Sequence, residues 1–319
     1  MKTVNFKNFV ISFMLFMCMA HVGYSQSDVS AESQNVVAFQ DGKKWGLKDL
    51  SGNVVMPATY DKIEEFKEGL AAVNKGGKMK QQQEFLLTID VFAGGKWGFI
   101  DMDGKEIVPC KYDKVEGFSG GVAAVNIGGK FKKEYILGSS RERFTGGKWG
   151  LIGVNGNELA SCKYDNVEKF SEGLACVKWK GKFGYLDKNG KEVIPLKYND
   201  AKSFSYGRAL VQVKNKYGFI NASEVEVIPC KYDIAESFTE GLAAVNIGAS
   251  SQQITMPSGM GGDTYNVLAG GKWGFIDVDG NIVIPFTYEH AKPFKNGKSE
   301  ILLDKQSHII NTKGEIISH

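Results

Sequence analysis

Apolar positions in this chain come in short bursts of β type, each closed by turn residues. Leu70-Ala71-Ala72-Val73 is a continuous apolar run that reads as a strand. Trp97-Gly98-Phe99-Ile100 and Glu106-Ile107-Val108-Pro109 are further bursts, separated by Met102-Asp103-Gly104-Lys105. Asp-Gly and Asn-Gly between apolar runs signal hairpins, because a type I′ turn needs positive φ at both central residues. Asp103-Gly104, Asn155-Gly156, Asn189-Gly190 and Asp279-Gly280 fit that pattern, with Ser51-Gly52 and Lys313-Gly314 as weaker versions. Pro57, Pro109, Pro195, Pro229 and Pro285 follow the second burst, and a residue without an N–H is expected to end the strand there. A second hairpin is expected between Leu-Ala-Ala-Val-Asn and Lys-Trp-Gly-Phe-Ile. The segment Tyr-Asp-x-Val-x-x-Phe lacks a helix's length and caps, so it reads as a short strand or turn.

These bursts recur in a fixed order, so the chain is an array of one unit. Lys-Trp-Gly stands at 44–46, 96–98, 148–150 and 272–274, with Lys182-Phe183-Gly184 and Lys216-Tyr217-Gly218 as variants. The spacing from 149 to 183, and again from 183 to 217, is 34 residues. Longer intervals carry extra segments at 79–94, 131–146 and 249–270, all just before the next Gly-Lys-Trp-Gly. Six full units are followed by a half unit, in which His308 is read at the Trp position. The array also opens off register, Val36-Val37-Ala38-Phe39 matching the Leu-Ala-Ala-Val strand. One continuous array over 36–319 is expected, since stacked repeats escape the size limit of a single core.

The phrase Lys-Trp-Gly-Phe-Ile-Asp-x-x-Gly-x-x-Val-Ile-Pro-x-x-Tyr-Asp-x-Val-x-x-Phe-x-x-Gly-x-Ala-x-Val resembles the WG-repeat, or KWG-repeat, family of bacterial proteins. The match covers about 36–317. It departs in the third repeat, where Gly153 replaces Asp and Ala160-Ser161 replace the Ile-Pro end of the strand. The resemblance implies an all-β repeat protein, often exported, and no particular reaction. A β superhelix or solenoid of hairpins and three-strand meanders is the expected architecture. The alternative is a closed, propeller-like ring of about seven small blades, although about 40 residues per blade is more usual.

Residues 1–25 have a different character. Lys2 and Lys7 precede an apolar run from Phe9 to Ala20, and Gly23 and Ser25 are small residues before Gln26. That is the pattern of a secretory signal cleaved near Ser25. The run is shorter than the about 20 residues of a membrane span, and Phe16-Met17 before Cys18 do not suit a lipobox. Residues 26–35 read as a polar leader, and the exported chain is expected in the periplasm or outside the cell with no membrane span. Without Lys2 and Lys7 the net charge falls from +3 to near +1. No concentrated basic face is offered to nucleic acid.

No catalytic or cofactor pattern stands out. His290, His308 and His319 are separated and form no His-x-x-x-His or Gly-x-Ser-x-Gly motif. Asp101-Met102-Asp103-Gly104 and Asp277-Val278-Asp279-Gly280 resemble fragments of calcium loops but lack the distal ligands. They read as hairpin turns, so no cofactor or metal is expected. Cys110, Cys162 and Cys230 share one repeat position where other units hold Ala58, Leu196 and Phe286. Together with Cys176 they read as buried thiols, with a disulfide left open. Aromatic residues also recur at fixed positions. Because Trp exchanges with Phe and Tyr, packing between units explains the ladders better than a binding groove.

Function is expected at the insertions, since insertions at one register map to one face of a repeat array. The candidate binding residues are Phe85 and Leu86 in the first, Tyr135, Arg141, Arg143 and Phe144 in the second, and Met256, Met260 and Tyr265 in the third. The competing reading has the insertions extend the meander and pack on each other. The expected role is a non-enzymatic exported scaffold that binds protein or glycan at the cell envelope. A glycan-processing enzyme, with carboxylates on that face, is the alternative.

Overall fold

Strands account for every expected burst in the computed structural model, which describes residues 35–84, 87–136, 139–255 and 264–318. The expected signal and leader fall outside the described residues, Asn35 excepted. Val36–His319 forms one unit. Its first sheet has three strands, Val36–Asp41, Lys44–Asp49 and Val54–Tyr60. Every later unit supplies a four-stranded antiparallel meander, termed a sheet, although the second and third are linked into a single eight-stranded sheet by the pair Gln83 and Ser140. The second comprises Lys62–Ile63, Leu70–Glu84, Leu87–Asp101 and Glu106–Tyr112, and the third Lys114–Val115, Val122–Ile136, Ser139–Gly153 and Glu158–Tyr164. Four more sheets follow, starting at Asn166, Asp200, Ile234 and His290. The Tyr-Asp connector thus supplies a fourth strand only two residues long, which is how four strands fit in 34 residues. The described residues form no closed barrel, only consecutive small sheets.

The second to sixth sheets each bury both faces. Ala71 and Val73 pack back onto Leu47, Met56 and Tyr60 of the first sheet, whereas Leu70 and Ala72 pack forward with Val125 and Ile152 of the third. The same two-sided arrangement links the remaining neighbours, so the core is a series of inter-sheet clusters. The Tyr ladder is buried throughout, Tyr60, Tyr112, Tyr164, Tyr198, Tyr232 and Tyr288 all lying at 6% exposure or less. The phenylalanines join one sheet to the next in pairs. Phe99–Phe118 and Phe275–Phe294 meet at 4.8 Å between ring centroids, and Phe219–Phe238 at 4.7 Å. Such pairs are worth about 0.5–1.5 kcal/mol beyond their buried area.

Three details differ from the sequence reading. The Asp-Gly turns are not type I′, because Gly104 (φ 77°) has positive φ and Asp103 does not. Gly104 N–H donates to Asp101 O, and Asp101 Oδ1 accepts the N–H groups of Asp103 and Lys105. Met102 and Asp103 are therefore the central pair of a type I turn, with Gly104 the left-handed residue of a G1 bulge. Asp277 is used in the same way, so the calcium-like fragments are turns. Type I′ turns occur instead where Lys180-Gly181, Lys214-Asn215 and Asp304-Lys305 close the short second hairpins.

The prolines do not end their strands. Glu226–Tyr232 runs through Pro229, with a bulge between the pairs Phe219↔Ile228 and Tyr217↔Tyr232. A residue without an N–H is tolerated where the ladder is already interrupted. The third difference concerns His308. Pairing of Ser307 with Leu302 places Ser307 opposite the position that Trp273 faces at Asn246. Ser307 therefore holds the Trp position and His308 the Gly position, which keeps the spacing from Trp273 at 34 residues.

The four described cysteines are free thiols. Burial pushes Cys110 and Cys230 up to about 11 and Cys176 up to about 12, as suits packing rather than reactivity.

In four units an ion pair ties the lysine of Lys-Trp-Gly or its Lys-Tyr-Gly variant to the Asp of the following Tyr-Asp. Lys44–Asp61 is 2.8 Å long, and Lys148–Asp165 and Lys216–Asp233 repeat it. Lys148 lowers the Asp165 carboxyl below its usual range. Burial alone would raise Asp61 and Asp233, but the lysines and the N–H groups of Gly76 and Gly248 outweigh it, and both are lowered. A carboxyl depressed in the folded state contributes stability above its unfolded pKa, and that contribution is lost as pH falls through the folded value. The urea midpoint is therefore expected to drop as pH is taken below about 4. The triple variant Asp61→Asn, Asp165→Asn, Asp233→Asn should show a shallower drop; an identical pH profile would contradict this role.

Candidate functional site: a cleft beneath two paired arms

The insertions are long hairpin arms growing directly out of the sheets. Strand pairing continues from Leu70↔Asp101 to Glu84↔Leu87 in the second sheet, and from Val122↔Gly153 to Ile136↔Ser139 in the third. Each arm bends where it leaves its sheet, at glycines with positive φ: Gly76, Gly94 and Gly95, then Gly128, Gly146 and Gly147. A fully buried asparagine holds each bend. Asn74 accepts the Gly77 N–H at 2.9 Å and donates to Gly94 O at 3.2 Å. Asn126 does the same with Gly129 at 3.1 Å and Gly146 at 3.3 Å, and Asn246 donates to Gly270 O at 3.1 Å. In sheets without arms the corresponding residues are Gln40, Lys178, Gln212 and Leu302. The sequence Val-Asn-x-Gly is thus the local signal for an arm.

The first two arms meet. Gln83 pairs with Ser140 across adjacent edges, and Lys80 bridges to Glu142 at 3.1 Å. Packing of insertions on each other, the competing sequence reading, therefore holds for this pair. Beneath them lies a cleft of about 500 Å³ between the second and third sheets. Phe92, Trp97, Phe99, Phe131 and Phe144 provide its apolar lining. Lys62, Lys67 and Lys114 face Glu64, Glu65, Asp113 and Glu116 across it, so charge is nearly balanced.

Two equivalent side-chain sets, one repeat apart, contribute to this cleft. Lys62 Nζ sits 5.4 Å from the Phe92 ring and 5.9 Å from Trp97, and contacts Glu64 at 2.6 Å. Lys114 Nζ sits 5.7 Å from Phe144 and 5.6 Å from Trp149, and contacts Glu116 at 3.1 Å. The rings meet edge to face, Phe92 on Trp97 at 5.9 Å and Phe131 on Phe144 at 5.4 Å. Asp113 is held by Lys96 at 2.5 Å. Three of the four carboxylates are thus fixed in place by lysines, with lone pairs left for a ligand's donors.

Of the residues singled out from sequence, Phe144 lines the cleft and Arg143 is exposed on the same strand. Tyr135, Arg141 and Tyr265 lie on arm strands, and their side chains are outside the described residues, as are Phe85, Leu86, Met256 and Met260 entirely. Phe92, Phe131, Lys62 and Lys114 were not anticipated. Trp273 is buried as a packing residue should be, at 6% exposure, whereas Trp97 is half-buried and opens onto the cleft.

Stacked small sheets built from one repeating phrase define a tandem β-repeat protein. The WG containing repeat matches at residues 45–78, 97–131, 149–183, 183–217, 217–249 and 273–305, and the chain belongs to that family. No curated protein matches it. Among solved structures it is similar to a eukaryotic initiation factor, at 9% identity, TM-score 0.42, covering 89% of this chain and 84% of that one. It is also similar to the tricorn protease, at 11% identity, TM-score 0.20, covering 86% and 26%. A third is the AfRom2 CNH domain, at 9% identity, TM-score 0.20, covering 80% and 91%.

Proposed function

We propose that this chain is an exported, non-enzymatic scaffold that binds a linear, uncharged glycan at the cell envelope through the cleft between its second and third sheets. The observation that carries the reading is the twofold set of aromatic ring, lysine and lysine-bound carboxylate lining that cleft. A pyranose has an apolar C–H face and an equatorial rim of hydroxyls. Aromatic rings match the first, and fixed ionic groups match the second. Two equivalent sets one repeat apart suit a polymer with repeating chemistry, and the near balance of charge favours neutral sugars. A peptide adding itself as a strand is disfavoured here, because the arm edges nearest each other already pair through Gln83 and Ser140. Export rests on the character of residues 1–25.

An array of neutral β-linked oligosaccharides, probed with the purified protein, tests the reading. Retention is expected on longer oligomers. Phe92→Ala and Phe144→Ala are each expected to weaken it about tenfold, or about 1.4 kcal/mol, when compared at a temperature where circular dichroism shows both variants folded. Equal retention by both variants would contradict the assignment. Shortening of the bound oligomers would favour the glycan-processing alternative.

A further inference from the structure

The arm of the sixth sheet follows the same plan as the other two but lacks a neighbour. Its strands Leu242–Thr255 and Thr264–Asp277 pair continuously from Leu242↔Asp277 to Thr255↔Thr264, apart from the bend at Gly248 and Gly271. Pairing with the flanking strands of its own sheet stops at Asn246 on one side and Trp273 on the other. The fifth and seventh sheets have short second hairpins, Ala209–Ile220 and Lys298–Asn311, and extend no arm beside it. Beyond the bend, both outer edges of this ribbon therefore have no strand partner among the described residues.

Composition sharpens the contrast. Free edges in soluble proteins are usually guarded by charge, proline or a bulge. The outer strands of the first two arms carry such guards, with Asp90 on one and Lys132 and Lys133 on the other. Residues 248–255 and 264–271 contain no Asp, Glu, Lys or Arg. Ser250, Ser251, Gln252, Gln253 and Asn266 are exposed there, beside Leu268 at 46% exposure.

We infer that this edge pairs with the same edge of a second copy of the chain. Arms of this design already pair antiparallel within one chain, through Gln83 and Ser140. An uncharged Ser-Ser-Gln-Gln edge meets its own copy without like-charge repulsion. Antiparallel pairing of Ala249–Thr255 with its twofold mate gives a closed dimer rather than an open filament. The first two arms pair with each other along one edge and carry charged residues on the other.

Sedimentation velocity of the purified protein over a range of concentrations tests this, with the double variant Ser251→Lys, Gln252→Lys alongside. These side chains are exposed, so the melting temperature of the folded chain is expected to be unaffected, and that is measured too. The unaltered protein is expected to sediment as a dimer, and the double variant to dissociate at least about tenfold more readily, because lysines then face lysines across the twofold axis. A protein that stays monomeric at every concentration overturns the inference. So does a dimer that persists unchanged in the double variant. Monomers that nonetheless capture an added strand peptide from another protein would assign the edge to a foreign partner and likewise overturn it.

Discussion

Gly218→Ala is expected to destabilise the folded array by about 3 kcal/mol, the upper end of overpacking costs, seen as a melting temperature lowered by several degrees. Gly218 is not in the left-handed region; its constraint is space. A Cβ there would lie 2.5 Å from Ile228 O, 2.6 Å from Cys230 N and 2.7 Å from Pro229 C. All three are backbone atoms of the outer strand, which arches over the glycine at its bulge and has no side chain to swing away. Gly46, Gly98, Gly150, Gly184 and Gly274 meet the same carbonyl of their own outer strands at 2.3–2.7 Å. The glycine of Trp-Gly and the proline of Ile-Pro are thus two sides of one crossing. In the third sheet Ala160-Ser161 take the Ile-Pro place and the bulge persists, so the crossing does not depend on proline. Gly52→Ala is the control, a positive-φ position (92°) with nothing within 4 Å of the added Cβ, where about 1 kcal/mol is expected. Equal losses at Gly52 and Gly218 would contradict the steric account.

Asn126→Ala is the second large effect, and it should act on the arm more than on the array. Asn126 is fully buried, and its carboxamide satisfies both the Gly129 N–H and the Gly146 carbonyl at the bend. Removing it leaves two polar backbone groups without that partner, at about 1–3 kcal/mol each. Hydrogen exchange is expected to quicken in 127–136 and 139–147 while the fourth to seventh sheets keep their protection. Glycan retention should weaken as well, although Asn126 does not line the cleft, because Phe131 and Phe144 are carried by the arm it anchors. Exchange rates unchanged in the arm would contradict the clamp.

What could be read in the sequence was the local plan. Leu-Ala-Ala-Val reads as a strand, and the structure adds that Ala71 and Leu70 face opposite neighbours. The turn chemistry was half legible. A polar residue followed by Gly marked every such turn but the one at Ser223-Glu224. In Asp103-Gly104 the type depended on the Asp101 carboxylate capturing two amides, which moved the turn one residue earlier. The half unit was misaligned by one residue because His308 is ring-shaped like Trp, whereas pairing with the preceding strand sets the register. The cleft was the least legible element. It exists only because two arms from successive repeats lean together, bringing Phe92 of one against the same opening as Phe131 and Phe144 of the other. Spacing along the chain reports neither the lean nor the meeting. The arm tips are what the sequence makes conspicuous, while the rings that line the cleft sit near the arm bases. The Asn-x-Gly signal was present in the phrase preceding every insertion and identifies those bases.

The most direct test of the glycan-binding account is amide hydrogen exchange of the protein with and without the oligosaccharide it retains best on the array. Slower exchange is predicted in 62–67, 113–117 and the arm segments around Phe92, Phe131 and Phe144, with the fourth to seventh sheets unchanged. Protection confined to those later sheets, or retention with no protection around the cleft, would contradict it.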